Sequence, residues 1–228
     1  MQIDRAAVMR GLELVTVSGI NRIVISKEGK VCHPSPDQTV LIYGNLELGE
    51  LDDAWALPDI SLFLRMLKVF TATHVDLVRG RNCFTMAAEK VKWTYRLGNA
   101  EAIQTLAASV VEGIISTLTQ PIELSIDFLK KVCGIQAVIH AKFIHFVSHD
   151  GKFGIVVGEK ETYAGSTDVD HSLDNDFDIK IPADRFTEIV GKIDEPVVGV
   201  RFNLTENKRA IRIGMSKFSW IIGGIAER

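Results

Sequence analysis

Few residues in this chain have types and spacings that suit chemistry. Ser148-His149-Asp150 has the letters of a nucleophile, base and acid in a row. Consecutive side chains on a strand or turn diverge, whereas a catalytic relay needs its three groups to converge in space, so no catalysis is expected there. His145 and His149 share one strand face but stand roughly 13 Å apart at ~3.3 Å per residue, too far to hold one metal. His140 falls on the opposite face. The acidic run through Asp168, Asp170, Asp174, Asp176 and Asp178 invites a calcium-loop reading. It lacks the glycine at the sixth position and the glutamate at the twelfth, where Ile179 stands, and reads as a solvated loop. No GxxxxGK[ST], GxGxxG or GxSxG occurs, so neither a nucleotide cofactor nor hydrolase chemistry has a motif to rest on. The expected protein is not an enzyme and needs no cofactor or metal.

What the chain builds must then be read from its bulk properties. Its 228 residues suffice for two small domains, and 46% hydrophobic with 24% charged residues excludes global disorder. With 26 basic against 29 acidic residues, the charge of −3 argues against a wholly basic nucleic-acid binder but permits a local basic patch. No apolar run approaches the ~20 residues of a bilayer span, so no membrane partner is expected. Met1-Gln2-Ile3-Asp4-Arg5 lacks the order of a secretion signal, and Cys32, Cys83 and Cys133 are odd in number without CxxC spacing. A cytoplasmic protein with reduced thiols is expected.

The sequence is written twice. Ser26-Lys27-Glu28-Gly29-Lys30 recurs as Ser148-His149-Asp150-Gly151-Lys152, an offset of 122. Pro58 recurs as Pro182, Lys90-Val91-Lys92-Trp93 as Lys217-Phe218-Ser219-Trp220, and Ile3-Asp4 as Ile126-Asp127, at offsets of 124, 127 and 123. Four landmarks in one order at nearly one offset define two homologous halves, 1–98 and 121–228, joined by a structured or surface-packed connector over 99–120.

Each half reads as helix, strands, helix, strands. The first has a helix near 3–15, strands over 22–26, from Lys30, over 39–43 and 54–57, a helix from Pro58 to Phe70, and strands over 75–78, 84–86 and 91–97. The second has a helix over 125–135, strands over 138–148, 153–157 and 178–181, a helix from Pro182 to Ile193, and strands over 197–203, 210–214 and 218–222. The prolines are placed where a helix start needs no N–H. In the strand from Val91, the residues Val91, Trp93, Tyr95 and Leu97 share one face.

The helices share a pattern. Phe63, Met66, Leu67 and Phe70 form a core stripe, as do Phe128, Leu129, Val132 and Cys133, then Phe186, Ile189, Val190 and Ile193, and more loosely Val8, Leu12 and Val15. Away from these stripes lie Arg5 and Arg10, Arg65 and Lys68, Lys130 and Lys131, and Arg185 and Lys192. Solvated faces ordinarily carry such residues. Here the acids Asp4, Asp59, Asp127 and Asp184 lie at helix starts, where caps and the helix dipole favour them. Beyond those starts the exposed faces are predominantly basic, Glu13 and Glu188 excepted. Four helices on one side would make a stripe that contacts phosphates without reading sequence.

The duplicated unit, the two-domain length, Ile126-Asp127-Phe128-Leu129-Lys130 leading into Val138–Ser148 and its Asp150-Gly151 turn, and Phe177-Asp178-Ile179-Lys180-Ile181-Pro182 leading into the final hairpins resemble the DNA sliding clamps, specifically the trimeric clamp of T-even-type bacteriophages. The resemblance covers nearly the whole chain and rests on pattern and order. It implies an α+β fold: a duplicated DNA-clamp domain, each copy with two helices packed on antiparallel sheets, six copies closing a homotrimeric ring. It implies that Arg5, Arg10, Arg65, Lys68, Lys130, Lys131, Arg185 and Lys192 face a hole for duplex DNA, held without regard to sequence.

The same resemblance implies a replicative DNA polymerase as partner, a separate ATP-dependent clamp loader, and a hydrophobic pocket for a partner's peptide tail. By position its candidates are Val110, Val111, Ile114 and Ile115 of the connector with Ile221 and Ile222. Ring closure would join the edge strand around Lys90–Leu97 to the segment around Glu161–Val169. Coupling to viral late transcription, a property of the T-even relatives, has no sequence mark here. The rival readings are a monomeric, non-ring polymerase accessory factor and a scaffold protein that does not bind DNA.

Overall fold

The chain divides into two compact units, Met1–Val111 and Glu112–Arg228. The computed structural model describes residues 1–49, 51–119, 121–159, 165–169, 175–205 and 209–225. In the first unit the order is β1 (Gln2–Asp4), α1 (Arg5–Val15), β2 (Ile23–Ile25), β3 (Lys30–Pro34), β4 (Val40–Asn45), β5 (Trp55–Leu57), α2 (Ile60–Val69), β6 (His74–Arg79), β7 (Cys83–Ala88) and β8 (Val91–Arg96). A 3-10 turn (Ala100–Ala102) and helix α3 (Ala108–Ser116) carry the chain onward. The second unit follows with β9 (Ile122–Ser125), α4 (Ile126–Ile139), β10 (Phe143–His149), β11 (Lys152–Val157), β12 (Gly165–Val169), β13 (Phe177–Pro182), α5 (Ala183–Val190), β14 (Val197–Asn203), β15 (Ala210–Gly214) and β16 (Phe218–Gly223).

The strand orders establish the repeat. In the first unit β1-β6-β7-β8 and β5-β2-β3-β4 pair antiparallel. In the second, β9-β14-β15-β16 and β13-β10-β11-β12 pair the same way. The equivalence reaches single backbone bonds. The Ile60 N–H donates to the Asn21 carbonyl at 2.9 Å, as Ala183 does to Lys142 at 2.9 Å. Past the last strand, Leu97 and Gly98 donate to Asn82 and Ala56, as Gly224 and Ile225 do to Arg209 and Lys180. The paired hairpin turns put Gly29 and Gly151 at φ 75, a conformation that favours glycine.

Helices lie against these sheets and close a core in each unit. Trp55 on β5 meets Phe84 on β7 edge-on at 4.3 Å, and Phe63 on α2 meets Tyr95 on β8 at 4.9 Å. In the second unit Phe202 of β14 stands 5.9, 5.5 and 4.9 Å from Phe146, Phe153 and Phe177, which come from β10, β11 and β13. One ring thereby joins both sheets, and Phe186 of α5 reaches the same cluster through Phe146 at 5.7 Å.

Several local expectations shift. Residues 2–4 form a strand, not the start of a helix, because they pair with β6. Asp4 is the cap of α1, accepting the Ala7 amide at 2.9 Å, while Ser125 caps α4 by accepting the Phe128 amide at 3.2 Å. Ser125, not Asp127, is therefore the structural counterpart of Asp4. Pro58 precedes α2, whose cap is Asp59, and Pro182 itself occupies the cap position of α5. Helix α4 runs through Gly134 and takes in Val138, expected in a strand, because His140 at φ 51 ends it with an N–H to the Gln136 carbonyl. Phe128 and Cys133 are only half-buried, whereas Phe186, Ile189 and Val190 of α5 are buried, as is Ile193, which lies past the helix end at Val190 and not within it as expected.

Candidate nucleic-acid interface

Helix α2 shows how the sequence makes a cationic face. Ile60, Phe63, Leu64 and Leu67 bury one side, which leaves Arg65 and Lys68 exposed on the other, flanked by exposed Leu62 and Val69. Tyr95 fixes the start of this helix: its hydroxyl donates to the Asp59 carbonyl at 2.8 Å and accepts the Asp59 amide at 3.1 Å. Lys68 reaches Glu13 of the neighbouring α1 at 3.8 Å, a solvent-exposed pair of little energetic weight.

Helix α1 contributes less than expected. Arg5 is half-buried, and its Nε donates to the Ala72 carbonyl at 2.9 Å, so it ties α1 to the loop before β6. Arg10 is also half-buried. In the second unit α4 and α5 pack side by side. Lys130 and Lys131 are exposed beside Asp127, whereas Arg185 is half-buried and lies 3.8 Å from both Asp184 and Glu188. Lys192 sits just past α5 and is half-buried. Arg65, Lys68, Lys130 and Lys131 are thus the exposed cations of the eight, two in each unit.

The connector residues separate by burial. Val110 is 49% exposed, Val111 is buried, and Ile114 and Ile115 are half-buried on α3. Ile221 and Ile222 are neighbours on β16 and point to opposite sheet faces. Ile222 has no exposed surface and pairs with Ile211 inside the second unit, so it offers nothing for a peptide to touch. Ile221, at 6%, is nearly as hidden.

Two outermost strands coincide with the edges expected from the sequence. Among the described residues, β8 ends one sheet of the first unit and β12 ends one sheet of the second. Residues 160–164, which overlap the expected Glu161–Val169 segment, lie outside the described residues, and 165–169 form β12. On β8, Tyr95 is buried opposite Phe84, but Trp93, opposite Met86, is 44% exposed. Sequence reasoning misses the Tyr95–Asp59 tie. Its only signal is a tyrosine on the apolar face of a strand, a residue whose hydroxyl needs a partner when buried.

The duplicated unit, helices on paired antiparallel sheets with one strand order throughout, is the sliding-clamp fold. No protein-family model matches the sequence, and no curated protein matches it either. Solved structures match over the whole chain. The DNA polymerase III subunit beta of Pseudomonas aeruginosa is similar at a TM-score of 0.76 and 14% identity. The DNA polymerase sliding clamp of Caulobacter crescentus is similar at 0.73 and 14%. The chain spans 65% of the length of each of these bacterial proteins. A chain of the PCNA2–PCNA3 complex of Sulfolobus tokodaii is similar at 0.68 and 15%, with all of both chains covered. Among the described residues no helix is long and apolar enough to cross a membrane.

Proposed function

We propose that this chain is a sliding clamp: a non-enzymatic processivity factor that encircles duplex DNA and tethers a replicative DNA polymerase. The observation that carries the reading is the duplicated clamp unit itself, matched end to end by a PCNA chain of equal extent. Three copies of the two-unit chain supply six clamp units, so the ring is read as a homotrimer of the T-even type, opened by a separate ATP-dependent loader and acting in the cytoplasm of the cell where replication runs. The outermost strands β8 and β12 support head-to-tail closure, because a strand edge at the border of a sheet is a template for another strand.

Arg65, Lys68, Lys130 and Lys131 are the residues assigned to the DNA. They suit a clamp: lysine and arginine on helices hold phosphates weakly and without base readout, which lets the ring slide. Arg10, Arg185 and Lys192 flank them in a secondary role, and Arg5 acts chiefly in folding. Val110, Ile114 and Ile115 are the connector residues proposed to receive a partner's peptide.

Charge reversal tests the assignment. Lys130→Glu with Lys131→Glu should abolish DNA-dependent stimulation of the polymerase while the thermal melt stays put, since both side chains are exposed. Stimulation equal to that of the unaltered chain would remove α4 from the DNA-facing surface and favour the scaffold reading.

A further inference from the structure

The two units share a sheet but differ in what its outward face carries. In the second unit, Val198, Val200 and Phe202 of β14 and Ile211 and Ile213 of β15 are buried in the core. The residues that alternate with them turn the other way. On that face Arg201 and Arg212 stand directly opposite one another. Side chains so paired are rooted roughly 5 Å apart, and like charges there repel. Trp93 and Trp220 hold equivalent places in the two ladders, which puts Val78 and Thr85 of the first unit at the positions of Arg201 and Arg212. The sheet therefore forms without an arginine pair at this place.

The two guanidinium groups have different surroundings. Arg212 Nη2 donates to the Ser219 Oγ at 2.9 Å, passing over Gly214, where a Cβ would stand 3.5 Å from that nitrogen. Arg201 is half-buried, and among the described residues it makes no hydrogen bond or ion pair. Gly199 and Gly214 face each other beside the pair on the same side of the sheet, so no side chain fills the space there. Among the described strand residues on this face, Glu123, opposite Gly199 on β9, is the one acid. Two guanidinium groups against one carboxylate leave the face positive.

We propose that Arg201 and Arg212 form a carboxylate-binding fork for an acidic peptide segment of a protein partner, laid along the outward face of β14 and β15. Guanidinium groups take carboxylates through paired N–H···O bonds, and an incoming carboxylate offsets the repulsion between the two arginines. The glycine pair leaves room for the peptide backbone next to them. Duplex DNA fits less well. The cations assigned to it in this unit, Lys130 and Lys131, lie on α4, which packs beside α5, and α5 joins the core on the side that Phe202 buries. The fork needs only the second unit, so it would work whether or not the chain closes a ring.

Fluorescence anisotropy of a labelled hexaglutamate peptide titrated with the full chain tests this. Affinity should fall about tenfold or more in Arg201→Val. Valine stands at the equivalent position of the first unit, so the thermal melt of this variant should not fall. Arg201→Lys keeps the charge without the fork and should recover only part of the affinity. Lys130→Glu with Lys131→Glu, which tests the DNA-facing assignment, should leave peptide binding nearly unchanged. No peptide binding at millimolar concentration, equal affinity in Arg201→Val, or full recovery in Arg201→Lys would overturn the proposal. Displacement of the peptide by duplex DNA whose own binding is weakened in Arg201→Val would mark a nucleic-acid surface and count equally against it.

Discussion

The hydroxyl of Tyr95, on an edge strand, makes two hydrogen bonds to the backbone of Asp59, the residue that caps helix α2. One phenol thereby couples the outermost strand of a sheet to the start of the helix that presents Arg65 and Lys68. Tyr95→Phe leaves both Asp59 groups without this partner and should cost about 1–3 kcal/mol in denaturant unfolding. Burial pushes the phenol up to about 12 from its ordinary value of 10.0. The folded chain holds this proton more tightly than the unfolded one, so the contribution is full below pH 10 and is lost as pH rises toward 12. Stability measured across that window should fall less steeply in Tyr95→Phe.

Arg5 and Arg65 look alike in sequence and separate in structure. Arg5→Ala removes the bond to the Ala72 carbonyl and should lower stability by about 1–2 kcal/mol. Arg65→Ala should change stability by no more than about 0.5 kcal/mol. It should weaken duplex DNA binding evenly across sequences and reduce the salt slope by about one. Melting curves beside binding isotherms at several salt concentrations check both.

Phe202 is the ring on which both sheets of the second unit meet. Phe202→Ala should destabilise the chain by about 3–5 kcal/mol, and Phe202→Leu by clearly less. Calorimetry measures the difference.

Much of the fold is legible in the order of the residues. The repeat shows because hairpin glycines and capped helices leave local marks, and α5 shows because Phe186, Ile189 and Val190 keep a helical period. What stays hidden depends on partners distant in sequence. Residues 2–4 and 122–125 are strands only because β6 and β14 lie beside them, and such short segments carry no period of their own. Gly134 suggests an early end to α4, yet the stop comes from His140 in a left-handed conformation, which histidine rarely signals. For the basic residues, the sequence marks the helical faces but not the depth of burial. Arg5 and Arg185 are half-buried among their own neighbours, while Ile222 disappears into the core. The spacing of His149 from His145 argues against a shared metal, but nothing local announces that Asp176 crosses to meet His149.

Burial pushes the Cys32 thiol up to about 11 and raises that of Cys133 as well. Thiolate is the reactive form, so at pH 8 a disulfide reagent should label Cys32 more than about tenfold more slowly in the folded chain than after denaturation. Labelling rates resolved by peptide mapping give the answer.

Native mass by light scattering across a dilution series tests whether the chain closes into a ring. Three subunits of 25.2 kDa predict a species of about 76 kDa. Its dissociation on dilution should track the uncovering of Trp93, since Trp55 and Trp220 are already buried within the subunit. A monomer of 25.2 kDa at every concentration would contradict the ring and leave a non-ring accessory factor with the same duplicated fold.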